Sequence, residues 1–392
     1  MKKIQKKSKK ITRVVEKNSA VGKRVFVAMS GGVDSSVAVA LLQKAGYEVT
    51  GVFMKVWQPD FLACSWREER LDAMRVAAHL NISLLTWDFE KEYKEGVADY
   101  MIREYKAGRT PNPDVVCNRE VKFGVFFRRA MTEGADFVAT GHYAQVDKRQ
   151  TTNNKQQNAK KVDPSSVVSC KLLVGVDAYK DQSYFLWTLG QEQLSKTLFP
   201  IGGYKKSQVR ALAKKFGLTV AEKKDSQGLC FMGKLDMKDF LAHFIDEKEG
   251  SVVNESGEFL GTHRGAYFYT LGERHGFTIT QKGTEDAPYF VVAKDLEANT
   301  ITVAHKTREP LSCAHKELSA SQVNFCRGAK PNPAKKYTAQ VRYHGEHHQC
   351  RITALSENNF SLYFEKPVVV DAGQSVVLYD GSECVGGGVV IS

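Results

Sequence analysis

RVFVAMSGGVDSSVAVALLQKAGY, residues 24–47, decides the fold. Arg24 to Met29 is a short apolar run with β-branched residues, SGGVDSS is a Gly-rich turn, and SVAVALLQKAGY has helical spacing that ends at Gly46. Strand, turn and helix in that order aim the N–H groups of the turn at an anion. Gly31 and Gly32 allow the backbone to approach a phosphate closely. Ser30, Ser35 and Ser36 add hydroxyl donors, and Asp34 could hold a magnesium ion or order the turn. The stretch lacks the Lys of GxxxxGK[ST] and the spacing of GxGxxG, so it is neither a Walker A loop nor a dinucleotide fingerprint.

Downstream, YEVTGVFM (47–54) reads as a second strand, LDAMRVAAHL (71–80) as an apolar-faced helix and ISLLTWDF (82–89) as a third strand. ADFVATGHYAQV (135–146) supplies another strand with a Gly-His turn at its C-terminal end. Strands alternating with helices predict a parallel sheet with right-handed crossovers, and ligands bind such sheets at the C-terminal edge of the strands. QSYFLWTLGQEQLSKTLF (182–199) and SQVRALAKKFGL (207–218) read as helical. From about Lys234 the texture changes to one short helix, MKDFLAHFI, and then Gly-punctuated runs rich in Val, Tyr, Phe and Thr. ITVAH, YTAQVRYH, HQCRITAL, FSLYFEK and SVVLYDG read as successive strands of a separate small barrel.

The expected organisation is a basic tail over 1–22, an α/β domain over 23–232, a central β-rich domain over 233–300 and a β-barrel domain over 301–392. The polar, low-complexity stretch at 148–163 is read as a mobile insertion. A chain of 392 residues with 42% hydrophobic and 26% charged residues is long and apolar enough for two or three folded domains. The net charge of +12 is mostly local: residues 1–24 hold eight Lys, Arg13 and Arg24 against Glu16, or +9, which leaves +3 for the rest. Such a tail either solvates the chain or holds a polyanion. No stretch approaches the roughly 18 apolar residues of a membrane span, and the basic N-terminus lacks the apolar run of a signal peptide. The expectation is a cytoplasmic protein with no membrane partner. Eight scattered cysteines without CxxC pairs agree with a reducing compartment.

Two of those cysteines stand in sequence that suits chemistry. Cys117 lies in GRTPNPDVVCNREVKF (108–123), read as a loop stiffened by Pro111 and Pro113, with Asn112, Asp114, Asn118, Arg119 and Lys122 around the thiol. Cys230 lies in KKDSQGLCFMG (223–233), beside Lys223 and Lys224. Two thiols in polar loops of one phosphate-binding chain suggest a sulfur carrier and a partner to resolve it.

At its SGGVDSS turn the chain resembles the PP-loop ATP pyrophosphatases, and with both cysteine loops it resembles the bacterial-type tRNA-specific 2-thiouridylases. The resemblance runs through AMSGGVDSS, GVFMKVW, GRTPNPDVVCNREVKFG, ATGHYA, DQSYFLWTL, DSQGLCF, GTHRGAYFYTLGERHGF, VRYH and GQSVVLYDGSECVGGGVV, and covers nearly all of 24–392. It implies a PP-loop (adenine nucleotide alpha hydrolase-like) α/β domain with a parallel sheet, a small central domain and a C-terminal β-barrel. It further implies a sulfurtransferase that adenylates O2 of the wobble uridine with ATP, Mg2+ being the counterion of the nucleotide. ATP would lie on Ala28, Met29, Ser30, Gly31, Gly32, Val33, Asp34 and Ser35, with Met54 and Gly141 nearby. Asn112, Pro113 and Asp114 would meet the target base. Lys180, Asp181, Gln182, His142, Arg342, Tyr343 and Gln374 would touch tRNA. Cys117 corresponds to the nucleophile and Cys230 to the persulfide carrier, with a transient disulfide between them. The implied partners are tRNAs for Lys, Glu and Gln and a persulfide donor, either a cysteine desulfurase or a sulfur relay protein.

The sequence leaves open whether Cys117 releases hydrosulfide from the persulfide or helps transfer sulfur directly, and whether an iron-sulfur cluster takes part. No metal ligand set is assigned: His344, His347, His348 and Cys350 in YHGEHHQC are read as barrel surface residues. Ala28, Glu273 and Ala372 depart from the family pattern, and a carboxylate at Glu273 would repel a phosphate. The competing readings are a PP-loop ligase for a small molecule and an RNA-binding module with an inactive nucleotide site.

Overall fold

In the computed structural model, which describes residues 21–62, 66–150, 168–225, 236–280, 287–305 and 311–391, the first strand shows why the domain is layered. In β1 (Arg24–Ala28), Val25 and Val27 point into one apolar cluster, while Phe26 and Ala28 point into another. A strand buried on both faces needs cover on both faces. One face is covered by α1 (Val33–Ala45), α2 (Trp66–His79) and α8 (Lys206–Lys215) through Val37, Leu42, Val76, Val209 and Ala213. The other is covered by α6 (Phe126–Thr132) and the segment before it, through Val121, Phe126 and Phe127. Phe126 is fully buried, and its truncation to Ala would cost about 3–5 kcal/mol. β2 (Glu48–Lys55), β3 (Ser83–Asp88), β4 (Phe137–Ala139) and β7 (Thr197–Leu198) complete a parallel sheet in the order β3-β2-β1-β4-β7. The helix after the turn ends as its sequence predicts, with Gly46 left-handed at φ 96°.

Between β3 and β4 the chain is helical: α3 (Glu90–Tyr93), a wide-turned stretch Lys94–Ala98, α4 (Asp99–Lys106), α5 (Pro113–Cys117) and a second wide-turned stretch Asn118–Val125 leading into α6. The expected Cys117 loop is therefore shorter than its prolines suggested. The Asn112 side chain accepts from Val115 N at 3.2 Å and caps α5, and Pro113 occupies the first turn, where its missing N–H costs nothing.

ADFVATGHYAQV is two strands rather than one. β4 stops at Ala139, the turn Thr140–Tyr143 intervenes, and β5 (Ala144–Gln150) leaves for another sheet. β5 pairs with β6 (Val168–Val174), whose Leu172 and Leu173 pair with Cys384 and Glu383 of β18 (Glu383–Val390). Residues 148–150, expected within a mobile insertion, belong to β5; residues 151–167 lie outside the described residues. QSYFLWTLGQEQLSKTLF is broken at Gly190 into a short 3-10 turn, Ser183–Leu186, then α7 (Gln191–Lys196) and β7.

The central sheet has the order β10-β9-β8-β12-β11, built by β8 (Gly250–Val253), β9 (Phe259–His263), β10 (Phe277–Ile279), β11 (Tyr289–Asp295) and β12 (Thr300–His305), behind α9 (Met237–Ala242). ITVAH is β12, so it is not a barrel strand as the sequence suggested. Its period-2 pattern identifies a strand, but its partners are β11, across a tight turn, and β8. The barrel proper is β13 (His315–Phe325), β14 (Lys336–Gln340), β15 (His348–Leu355), β16 (Phe360–Val368), β17 (Ser375–Asp380) and β18. It closes through pairing of β13 with β18. No helix among the described residues is long and apolar enough to cross a membrane.

Candidate functional site

The turn after β1 is shaped by contacts that leave no room for side chains. Gly31 has φ 69°, and a Cβ there would lie 2.1 Å from Glu69 O. Gly141 closes the other side, where a Cβ would lie 2.7 Å from Ser35 N. Ser30 N donates to Ser35 Oγ at 3.3 Å, and Ser36 Oγ donates to Gly32 O at 2.8 Å, which fixes the turn against α1. A tight turn of this kind at the start of a helix is suited to an anion.

Asp34 is held from two directions. Tyr143 OH donates to Asp34 Oδ1 at 2.7 Å, and Lys206 Nζ donates to both carboxylate oxygens at 2.8 Å. Burial, with Asp34 alongside, pushes the Tyr143 hydroxyl far above the ordinary phenol range, so it remains a donor. Lys206 also reaches Asp225 at 2.8 Å, and Asp225 is bound by Lys180 at 2.8 Å and Arg210 at 2.6 Å. Burial opposes the charge of Asp225, but the bonds from Lys180 and Lys206 prevail and hold its carboxyl at about 2. Beside them Lys223 donates to Gly31 O at 3.2 Å and Asp72 at 2.7 Å.

One cavity of about 580 Å3 joins this turn to the Cys117 segment. Its walls carry Ala28, Ser30, Gly32, Val33, Asp34, Ser35, Met54 and Gly141 on the side of the turn, and Asp114, Asn118 and Lys122 from α5 and the wide turn after it. His142, Lys180, Gln182 and Tyr343 complete the expected residues that it brings together. Wide helical turns shift the aim of the side chains that follow, and this one carries Asn118 and Lys122 on the cavity wall. His142 is buried, and burial followed by the Lys122 charge holds its ring well below its ordinary pKa. The neutral ring accepts from Lys122 Nζ at 3.3 Å through Nε2, leaving Nδ1–H to donate to Thr140 Oγ1 at 2.8 Å.

The other expected residues sit elsewhere. Cys117 ends α5 and is buried among Val116, Val121 and Phe126 behind the cavity wall. Met29 is packed in the sheet core, where a Cβ on Gly51 would lie 2.5 Å from its sulfur. Asp181 is occupied internally, accepting from Gly175 N at 2.7 Å and Ser183 Oγ at 2.7 Å, and burial raises its pKa. Arg342 is exposed and donates to Val369 O at 3.2 Å. Gln374 donates to Thr110 O at 2.9 Å, which ties the barrel to the segment leading into Asn112 and Pro113. Glu273, expected to repel phosphate, instead pairs with Lys238 at 2.6 Å and accepts from Thr270 N at 3.1 Å. Cys230 lies outside the described residues.

The sequence reading missed Lys206, Asp225, Tyr143, Glu69, Phe185 and His344. Tyr143, Asp225 and His344 stand inside motifs already quoted for the resemblance, ATGHYA, DSQGLCF and VRYH. Lys206 carries no such signal, since 172 positions separate it from Asp34.

Three family models match the chain in order: the tRNA methyl transferase HUP domain over 23–234, the tRNA methyl transferase PRC-barrel domain over 238–305 and the aminomethyltransferase beta-barrel domain over 315–390. The tRNA-specific 2-thiouridylase MnmA of Thiobacillus denitrificans is 44% identical over 371 residues, 94% of this chain and 99% of that protein. The MnmA of Enterococcus faecalis is 43% identical over 373 residues, 94% and 95% of the two chains. The likeness spans the parallel-sheet, central and barrel regions alike, and the chain belongs to the tRNA-specific 2-thiouridylase family.

Proposed function

We infer that the chain is an ATP-dependent sulfurtransferase that converts the wobble uridine of tRNA to 2-thiouridine. Beyond family membership, the observation that carries this reading is the single cavity lined by the Ser30–Ser35 turn on one side and by Asp114, Asn118 and Lys122 on the other. A small-molecule ligase has no need for a second wall of that kind, nor for the barrel residues Tyr343 and His344 at its mouth.

In this reading the uridine O2 attacks the α-phosphorus of ATP, and pyrophosphate leaves along the turn, where N–H and hydroxyl donors stabilise the departing charge. Asp34 and Asp225 offer hard carboxylate oxygens suited to Mg2+ arriving with ATP, which would supply charge neutralisation at the leaving group. Lys206, now shared between those carboxylates, would then be released toward phosphate. Sulfur from a persulfide on Cys230 replaces oxygen at C2 with loss of AMP, and the cysteine pair Cys117 and Cys230 ends as a disulfide to be reduced. The uridine is presented out of the anticodon stack.

Incubating the chain with tRNA, ATP and a persulfide donor, then measuring nucleosides by mass spectrometry and pyrophosphate release, tests the reading. It expects 2-thiouridine and a pyrophosphate signal that depends on tRNA. Release of pyrophosphate at full rate without RNA would favour the small-molecule ligase instead.

A further inference from the structure

A continuous run of rings leads from solvent into the cavity. Tyr179, 72% exposed, stacks on His344 with centroids 4.9 Å apart and planes at 26°. His344 stacks on Tyr343 at 3.9 Å and 26°, Tyr343 lies 4.4 Å from Phe185, and Phe185 meets the buried Tyr184 edge-on at 5.5 Å. His344, Tyr343 and Phe185 all line the cavity that holds the phosphate turn. The rings come from two parts of the fold: Tyr179 and Phe185 follow β6, whereas Tyr343 and His344 follow β14.

The outer end of this stack is held in place although it is exposed. Asp177 Oδ1 accepts from Tyr179 N at 3.2 Å, and Asp177 Oδ2 accepts from Lys206 N at 2.8 Å, which ties the Tyr179 turn to the start of α8. His344 has φ 58°, an uncommon left-handed backbone for a residue with a side chain, and its Nε2 lies 2.8 Å from Tyr179 O. Among the described residues His344 is the ring that stacks on Tyr179, so a tyrosine fixed at such exposure offers its other face to a ligand. Unpaired nucleobases bind proteins chiefly by stacking on fixed aromatic planes.

We propose that Tyr179 and His344 form a stacking platform for an unpaired nucleobase next to the target uridine, at the mouth of the reaction cavity. The proposal rests on the tRNA reading above and adds a binding site to it. The flanking base caps the ring stack at Tyr179, so that the uridine is drawn toward Phe185 and Asp114 while its neighbour is parked at the mouth. Arg342, exposed beside Tyr343, suits the intervening phosphate.

The test measures the dissociation constant of an anticodon stem-loop RNA by fluorescence anisotropy, with abasic versions at each of the two positions flanking the target uridine. Tyr179→Leu should weaken the unmodified stem-loop about tenfold, the loss expected for one stacked base. On one of the two abasic RNAs the same substitution should change binding by less than about twofold, because the base that it served is already gone. His344→Gly keeps the left-handed backbone available and removes the ring, and should reproduce the effect with the fold intact. Equal losses on both abasic RNAs and the unmodified one would overturn the platform, as would unaltered binding by both variants or no stem-loop binding by the parent chain. Failure of the parent chain to form 2-thiouridine in full tRNA would strike the proposed function instead, and is scored separately from these binding ratios.

Discussion

Replacing Lys294 with Met should damage the chain more than any surface charge change, because three parts of the fold meet on one carboxylate. Asp371 Oδ2 accepts from Lys294 Nζ at 2.6 Å, Thr110 Oγ1 at 2.9 Å and Leu271 N at 3.2 Å. Lys294 Nζ also donates to Gly108 O at 3.0 Å, and the side chains of Lys294 and Asp371 are only 9% and 5% exposed. Thr110 belongs to the parallel-sheet region, Leu271 and Lys294 to the central region and Asp371 to the barrel region. Removing the ammonium strands a buried carboxylate, a loss of about 3–5 kcal/mol. Adding Asp371→Asn should restore part of that loss, since a neutral amide no longer needs the cation, so the double variant should fall short of the sum by about 2 kcal/mol. Denaturant unfolding followed by tryptophan fluorescence and by near-UV circular dichroism measures both quantities, and agreement of the probes checks that one transition is being followed. Thr110 stands two positions before Asn112, the cap of α5, so the single variant should also lose 2-thiouridine formation while retaining nucleotide affinity at the Ser30 turn. Additive losses, or a Lys294→Met variant within about 1 kcal/mol of the parent, would refute the argument.

Further outcomes follow from the site itself. Gly31→Ala and Gly141→Ala each push a Cβ into backbone, at 2.1 Å and 2.7 Å, and should abolish AMP and pyrophosphate formation, which chromatography of the nucleotides would show. Cys117→Ser and Cys230→Ser should each eliminate 2-thiouridine, whereas Cys350→Ala should retain appreciable activity: burial pushes the Cys350 thiol up to about 12, where it is a poor nucleophile at neutral pH. Asp225, held at about 2 in the folded chain against about 3.9 when unfolded, contributes stability fully present above about pH 4 and lost as pH falls toward 2. Asp225→Asn should therefore cost about 2 kcal/mol at pH 6, with the gap to the parent narrowing in an acid titration; a constant gap would contradict the pairing.

The parts of the fold that the sequence made legible are those written in local spacing. The apolar run at 24–29, the turn at 30–36 and the helix ending at Gly46 each declare themselves within a dozen residues, and the tight strand-turn-helix geometry follows from them. Partnership is not local, and several of the misreadings are of partnership. ITVAH is visibly a strand, yet nothing in its five residues says that it pairs with β8 and β11 rather than entering the barrel. AQVDKRQ and VSCKLLV alternate as strands should, but their place beside β18 depends on Glu383 and Cys384, more than 200 positions away. Pro111 and Pro113 promised a loop around Cys117, because proline punctuates loops and begins helices with equal ease. The discriminating signal was Asn112, a capping residue directly before a proline. Lys206 was invisible for a different reason: a lysine at a helix start is ordinary, and its importance comes from the two carboxylates that folding brings to it.

The four residues Thr140–Tyr143 explain why a site read from separate motifs is one site. Gly141 lies against the N-terminus of α1, so the turn at Ser30–Ser35 cannot shift without moving it. His142 takes a hydrogen bond from Lys122 in the wide turn behind Cys117, and being neutral it can do so only with its other nitrogen committed to Thr140. Tyr143 holds Asp34 through its hydroxyl and Gln182 through its backbone, and the next residue, Ala144, already pairs in the hairpin that extends the barrel sheet. Strand pairing, backbone hydrogen bonds and one phenol therefore connect the barrel sheet to Asp34. Under the proposed function, RNA on the barrel and nucleotide on the turn would be linked through these same four residues, a physical means for consumption of ATP to depend on the presence of tRNA.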